Sequence, residues 1–289
     1  MRLGGPILNP PDDPEELAQA HADLGYRAAR CPRIPISDKD RINATREAFD
    51  KRDIIIAEAG AWCNLISPND EQRKANFEFV CERFAVADEI GALCCVDFIG
   101  TLDPDSAYGP HADNLSETTF DLTVETIRKV INEVNPKQAK FCLEMMQWTF
   151  PDSPDNYLDL IKAVDNPSFA VHLDPVNLIV SPRMYFDTTG LLKECFEKLG
   201  AWIVSCHAKD IVLRGELSLH LDETRPGTGN MDYHTYLAEL SKLPVDTPLL
   251  LEHLDSMEEY SLAKQHILDV QAQVTAEHLC RIPRIIKEM

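Results

Sequence analysis

The sequence predicts an α/β fold, a single (β/α)8 TIM barrel over residues 1–276, with residues 277–289 as a C-terminal tail or helix. Three observations support this. Four short apolar runs each end in a group able to hold a divalent metal: Phe141-Cys142-Leu143-Glu144, Phe169-Ala170-Val171-His172-Leu173-Asp174, Trp202-Ile203-Val204-Ser205-Cys206-His207 and Leu249-Leu250-Leu251-Glu252. Each run has the length of a strand buried on both faces, and the terminal groups lie 30, 33 and 45 residues apart, room for a crossover helix between neighbours. Finally, eight strand-then-helix units follow one another with no break in composition and no Gly/Ser linker, and Gly4-Gly5 does not supply the GxGxxG turn of a doubly wound dinucleotide fold.

Taken in order, Leu3 to Leu8 is the first expected strand, and Pro14 with the acids around it opens a helix that Gly25 stops. Tyr26 to Cys31 is the second strand, Asp38 to Lys51 the second helix, and Asp53 to Glu58 the third strand. Phe77, Val80, Phe84, Ala87 and Ile90, spaced by three and four, form the apolar stripe of a long helix over Asp70 to Ile90. Leu93 to Ile99 is strand four, and Thr101 to Ser116 is a long polar loop before a helix reaching Val134. After the strand ending in Glu144 come a helix from Pro154 to Val164, a strand from Ser168 to Asp174 and a helix from Thr188 to Leu199. Ala201 to His207, Asp232 to Leu240, Pro248 to His253 and Met257 to Val274 complete the alternation.

The net charge of -20 disfavours any surface that must neutralise phosphates, so nucleic acid is excluded as a partner and a small diffusible substrate is favoured. Nine cysteines contain no CxxC pair, and several sit inside apolar runs as reduced, structural thiols. Met1 to Pro6 has no apolar signal segment and no run is long enough to span a bilayer, so the expectation is a cytoplasmic protein without membrane contact.

In a barrel, the carboxyl ends of the strands form the reaction face, where Glu144, Asp174, His207 and Glu252 would meet. Two glutamates, an aspartate and a histidine, with no thiolate, suit one divalent metal ion, Mn2+, Mg2+, Co2+ or Zn2+, with positions open for a substrate. The rival reading makes each a separate salt-bridge or capping partner.

These four residues, with Ser205-Cys206-His207-Ala208-Lys209-Asp210 around the histidine and Arg225-Pro226-Gly227-Thr228-Gly229 after it, resemble the xylose isomerase-like superfamily of TIM barrels. Within it, the likeness is to the sugar isomerase and epimerase group of the D-tagatose and D-psicose 3-epimerases. The resemblance spans nearly the whole chain and is strongest from Lys140 to Asp255. It implies that Glu144, Asp174, His207 and Glu252 ligate the metal, and that Glu144 and Glu252 also act as the catalytic acid/base pair. The implied partner is a small carbohydrate, and the implied activity is isomerisation or epimerisation of a ketose or keto-sugar through an enediolate. A carbon-bound proton beside a carbonyl is too weakly acidic to leave at neutral pH unless a cation holds the oxygens and a placed carboxylate accepts it. A homo-oligomer is open, the tail from Glu277 to Met289 packing on a neighbour or on its own barrel.

The chain departs from the epimerase pattern at Asn177, which stands where those enzymes carry a histidine three residues after the metal-binding aspartate. Arg214, seven residues after His207, matches the family's substrate-binding arginine; a surface arginine is the alternative. Lys209 and His172 share strand faces with His207 and Asp174 and point into the barrel, as substrate contacts or as salt-bridge and core groups. Glu58 and Trp62 after strand three, and His111 in the long fourth loop, fall where loops would close over a sugar. His253 points away from Glu252, and His220 lies in a loop. The Pro226 to Gly229 turn has amides for a substrate phosphate, or is only a turn. The same apparatus serves a lyase or dehydratase on a keto-glycoside or keto-inositol. A non-catalytic sugar-binding barrel is disfavoured because binding alone has no need for two glutamates flanking one metal. The superfamily's abasic-site endonuclease needs further histidines, one at the place of Asn177, and a basic groove.

Overall fold

The structure, a computed structural model, describes residues 1–281. Its strands in chain order are β1 (Arg2–Gly4), β2 (Ala28–Arg30), β3 (Ile55–Gly60), β4 (Cys94–Asp97), β5 (Lys140–Leu143), β6 (Phe169–Leu173), β7 (Ile203–Ala208), β8 (Asp210–Arg214), β9 (His220–Thr224) and β10 (Pro248–Leu251). The helices are α1 (Pro14–Asp23), α2 (Lys39–Asp50), α3 (Asp70–Ile90), α4 (Glu117–Val134), α5 (Pro154–Val164), α6 (Pro182–Tyr185), α7 (Thr188–Leu199), α8 (Tyr233–Leu240) and α9 (Met257–Arg281). Eight parallel strands close in the order β1-β10-β7-β6-β5-β4-β3-β2, the predicted (β/α)8 barrel. No helix among the described residues is long and apolar enough to cross a membrane.

Local chemistry fixes the helix ends. Asp13, Asp38, Asn69, Ser116, Ser153, Asp187 and Asp232 each accept a backbone N–H of the first turn, supplying a partner that the helix itself cannot. Gly91 and Asn135 end α3 and α4 in the left-handed conformation. The main core lies between barrel and helices, where Phe84, Phe141 and Tyr157 are fully buried. Within the barrel, small residues fill the lower layers, with Ala28, Ala57 and Leu250 in one cluster and Cys94, Val96, Cys142 and Ala170 in another.

Four differences from the sequence-based expectations have physical causes. The first strand is short, since Pro6 has no N–H for a ladder. β3 runs past Glu58, the expected strand end, to Gly60, so Glu58 lies within the barrel and not at the level of the loops above the face. Residues 210–224, expected as loop, form an antiparallel hairpin, β8 with β9, outside the barrel. The last helix continues past Val274 through Arg281, so residues 277–281 of the expected tail are helical, while residues 282–289 of that tail lie outside the described residues.

Two register shifts decide which side chains enter the barrel. Ala29 pairs with Ile56 but Arg30 pairs with Glu58. Val171 pairs with Ile203 but His172 pairs with Ser205. In each case one strand carries an extra residue, a bulge that reverses the inward and outward alternation. Ile54 and Ile56 accordingly face the helices while Glu58 turns inward, and Ile203 faces the helices while Ser205 and His207 turn inward.

The Tyr157 hydroxyl of α5 lies 2.8 Å from the Leu143 carbonyl and 2.9 Å from that of Ala170, and accepts the Leu143 N–H at 3.1 Å. It ties β5 to β6 one residue before Glu144. Tyr157→Phe is expected to leave these buried backbone groups short of a partner and to destabilise the fold by about 1–3 kcal/mol, measured as a lower urea midpoint at unchanged slope.

Candidate metal centre

Glu144 follows β5, Asp174 follows β6, His207 is in β7 and Glu252 follows β10, so parallel register brings all four to the carboxyl face. All are buried, with Asp174 and His207 fully so. Their ligand atoms lie within 4.8 Å of one another. His207 Nδ1 is 2.8 Å from Glu252 Oε1, 3.5 Å from Asp174 Oδ2 and 3.6 Å from Glu144 Oε1. Adjacent ligands of an octahedral ion bonded at about 2.1 Å stand about 3.0 Å apart, so this spacing fits a shared cation. Both Asp174 oxygens, Glu252 Oε1 and His207 Nδ1 are buried and make no well-aligned hydrogen bond among the described residues. Lys209 brings its ammonium to this set, 2.7 Å from Asp174 Oδ2, and buried acceptors that outnumber their donors are what a metal ion satisfies.

The other imidazole nitrogen explains the orientation. His207 Nε2 is 3.0 Å from Glu58 Oε1, and Ser205 Oγ donates to Glu58 Oε2 at 2.9 Å. A proton on Nε2 held by Glu58 leaves the Nδ1 lone pair facing the three carboxylates, the carboxylate–histidine arrangement that orients metal ligands. Burial disfavours a charged imidazole, yet the charges of Glu252 and Glu58 carry the His207 pKa well above its ordinary value. The point where these groups meet therefore demands positive charge, as a proton or as a metal ion. His172 is fully buried, with its ring edge-on to His207 at 4.1 Å between centroids and Nε2 3.2 Å from Glu58 Oε2. Glu58, His172 and His207 could themselves group around an ion, but Arg30 places its guanidinium there, Nε on Glu58 Oε1 at 3.0 Å and NH2 3.1 Å from His207 Nε2.

Charge counting gives a second measure of fit. Glu58, Glu144, Asp174 and Glu252 are four carboxylates, and Arg30 and Lys209 are two permanent cations, Arg30 bonding Glu252 Oε2 at 2.5 Å. With Glu223 set aside as the partner of His253, four minus two leaves two negative charges, the charge of one divalent ion with His207 neutral. Lys209 is 2% exposed, its Nζ 2.7 Å from Asp174 Oδ2 and 3.1 Å from Glu252 Oε1. Burial would raise the Glu144 pKa, but the hydrogen bond and charge of His207 bring it to about 2. The Glu252 carboxyl is likewise held well below the usual range against its burial, by the charge of His207 and then by Lys209 and Arg30.

Above the ligands lies a cavity of about 410 Å3 that reaches Glu144, Glu252, Asn177 and Lys209 and is walled in part by Trp62, Phe98, Tyr108 and Trp148. Trp62 Nε1 donates to Glu144 Oε2 at 2.7 Å, and the Arg30 guanidinium lies 5.2 Å from the indole centroid. Asp97, at the end of β4, holds this turn by accepting the Cys63 N–H at 2.6 Å. Gly60 is required beneath it, because a Cβ there would come within 1.8 Å of the indole. Asn177 donates to Glu144 Oε1 at 3.2 Å and to the Met145 carbonyl at 3.0 Å, and accepts from Lys209 at 3.0 Å.

The structure does not bring every candidate to this cavity. Arg214 ends β8 half-exposed, its Nε on Asp222 Oδ2 at 2.8 Å, because the hairpin carries it outward. His111 stays in the fourth loop, paired with Asp113, and His220 with Glu216. Glu58 lies beneath the ligands, fully buried. The Gly227 and Gly229 amides both donate to Asp210, which occupies the donors that a substrate phosphate would need. His253 lines the cavity through its pairing with Glu223 at 2.7 Å. Arg30, Glu223, Tyr108 and Trp148 were missed by sequence reasoning. Two arginines in the second expected strand, Arg27 and Arg30, were the available signal for Arg30; Glu223 had none until the hairpin was known.

Fold and site together define an α/β barrel whose candidate functional site is a buried cluster of oxygen and nitrogen donors that could hold a metal ion. The chain belongs to the xylose isomerase-like TIM barrel family, whose model matches residues 18–269. Among solved structures it is similar to a xylose isomerase-like TIM barrel protein from Mycobacterium smegmatis in complex with magnesium, at 17% identity over 94% of this chain and 97% of that one, TM-score 0.67. It is also similar to D-psicose 3-epimerase from Clostridium cellulolyticum H10 with D-tagatose, at 15% identity over 95% and 99%, TM-score 0.65. A third is 3-keto-D-glucoside 4-epimerase from E. coli, at 12% identity over 96% and 99%, TM-score 0.64. Such identities show the shared fold. No curated protein matches the sequence.

Glu58→Gln is expected to keep the fold and weaken divalent-metal affinity by about 10–100-fold, because it loosens the hold on the His207 tautomer. Calorimetric titration of Mn2+ into the metal-stripped protein reads this; unchanged affinity would remove Glu58 from the support of the site.

Proposed function

We propose that the protein is a divalent-metal-dependent isomerase or epimerase of a keto-sugar, moving a proton on carbon next to the carbonyl with Glu144 and Glu252 as the acid/base pair. The observation that carries this is the convergence of Glu144, Asp174, His207 and Glu252 under a cavity that both glutamates line. A divalent ion held by these four residues would polarise the substrate oxygens and stabilise the negative charge that proton loss creates.

The chain's own groups prepare the two glutamates differently. Each turns one oxygen, Oε1, toward His207, and has the other bonded to a donor: Glu144 Oε2 to the neutral Trp62 indole, Glu252 Oε2 to the Arg30 cation. A neutral donor weakens a base less than a cation does, so Glu144 is the readier proton acceptor and Glu252 the group held ionised. The aromatic rings suit the apolar face of a sugar, and Asn177, Lys209 and Glu223 suit its hydroxyls. The names of the epimerase neighbours agree with this substrate class.

Glu144→Gln and Glu252→Gln are each expected to remain folded and to lose about 10²–10⁴-fold in turnover. The assay is NMR of a panel of ketoses and keto-glycosides in D2O with Mn2+, Mg2+, Co2+ or Zn2+. Solvent deuterium on a carbon beside the carbonyl of recovered sugar supports the reading. An active Glu252→Gln protein contradicts the acid/base pair, and release of a leaving group moves the activity to the lyases.

A further inference from the structure

Beneath the four ligands lies a second group of donors that shares His207 with them. Glu58 of β3, His172 of β6 and His207 of β7 are all fully buried, and one ligand atom from each lies within 4.8 Å of the others. His172 Nε2 is 3.2 Å from Glu58 Oε2, and His207 Nε2 is 3.0 Å from Glu58 Oε1. Neither ring nitrogen of His172 makes a well-aligned hydrogen bond among the described residues, although buried polar groups are ordinarily satisfied. A carboxylate with two imidazole nitrogens is a donor set for a divalent ion such as Co2+ or Zn2+.

A cation already stands at this place. Arg30 puts Nε on Glu58 Oε1 at 3.0 Å and NH2 3.1 Å from His207 Nε2, so it covers two of the three donor residues. The same NH2 bonds Glu252 Oε2 at 2.5 Å, which ties the guanidinium to the outer ligands as well. The Arg30 side chain is 30% exposed and lines the cavity above those ligands. Shortening it opens the inner donors to that cavity and leaves no sealed void, which gives an ion a path in.

Charge points the same way. With Arg30 in place, one divalent ion at the outer ligands balances the buried carboxylates. Without Arg30 the network carries one more negative charge. A second divalent ion overshoots that by one, and the balance closes when His207 gives its remaining ring proton to the buffer and bridges the two ions through Nδ1 and Nε2.

We propose that Glu58, His172 and His207 form an inner metal site, and that Arg30 is its built-in occupant, a fixed cation that holds the centre to a single metal ion. This rests on Glu144, Asp174, His207 and Glu252 binding that single ion, and on no choice of substrate. Arg30 is then the residue that sets metal stoichiometry.

The test counts metal in the full chain. Wild type, Arg30→Met and Arg30→Gln are stripped with chelator, loaded with excess Co2+, freed of loose ion by gel filtration and analysed by mass spectrometry of the metal. Wild type is expected to hold about one ion per chain and both variants about two. The Co2+ absorption should stop rising at about one equivalent in the wild type and about two in the variants. Adding His172→Phe to either variant should return the count to the wild-type value. A wild type that already holds the second ion, Arg30 variants that do not gain it, or a gain that survives His172→Phe overturns the inner site and leaves the outer centre standing. A wild type that binds no ion overturns the outer centre and this inference with it. Arg30 variants that unfold when stripped but recover with the doubled Co2+ count support the proposal. Variants that stay unfolded with Co2+ overturn it, because the inner ion would replace the lost cation.

Discussion

Four carboxylates buried within one network, Glu58, Glu144, Asp174 and Glu252, are the constraint around which the upper half of this barrel is arranged. An unpaired carboxylate in an apolar interior is so costly that it takes up a proton instead. Asp97 shows that alternative within the same molecule: among the described residues it has no cation beside it, and burial pushes its carboxyl well above the ordinary range. Glu58, Glu144 and Glu252 are instead held below the ordinary range against their burial, chiefly by the positive charge drawn to His207, with Lys209 acting on both Glu144 and Glu252 and Arg30 on Glu252. Removing any one of these cations would change the proton content of the whole group.

The barrel solves the delivery of so many polar groups to one place by splitting its interior into layers. Small residues such as Ala28, Ala57, Cys94 and Ala170 pack the lower part and exclude water. The charged set then sits above them, where parallel strands end together. The bulges at Ala57 and Val204 are essential to this division. Without the extra residue, strict alternation would send Glu58 and His207 toward the helices, as it does Ile56 and Ile203.

That is also why the sequence disclosed the ligands more fully than their support. Glu144, Asp174 and Glu252 each stand just beyond the end of an apolar run, and a charge directly after a buried strand is visible from period and position alone. Helix limits were equally legible, because Asp13, Asn69, Ser116 and Asp232 act through neighbours three residues on. Glu58 was seen but set at the loop end of its strand, since nothing in the sequence around Ala57 announces a bulge. Arg30 contacts Glu252 across 222 positions, and no local pattern encodes a partner so distant. Arg214 stayed open between a substrate contact and a surface residue because the hairpin that carries it outward depends on pairing between Asp210–Arg214 and His220–Thr224.

Lys209 joins the electrostatic argument to the question of what the site selects. Its ammonium is within 4.0 Å of Glu144, Asp174 and Glu252, so it belongs to the charge balance of the ligand set. The same atom also reaches Asn177 and Glu223, which line the cavity above the ligands. A cation bound to both sets cannot move without disturbing both. The placement of Asn177 and Glu223 is thus coupled, through this one ammonium, to the charge balance of the ligand set.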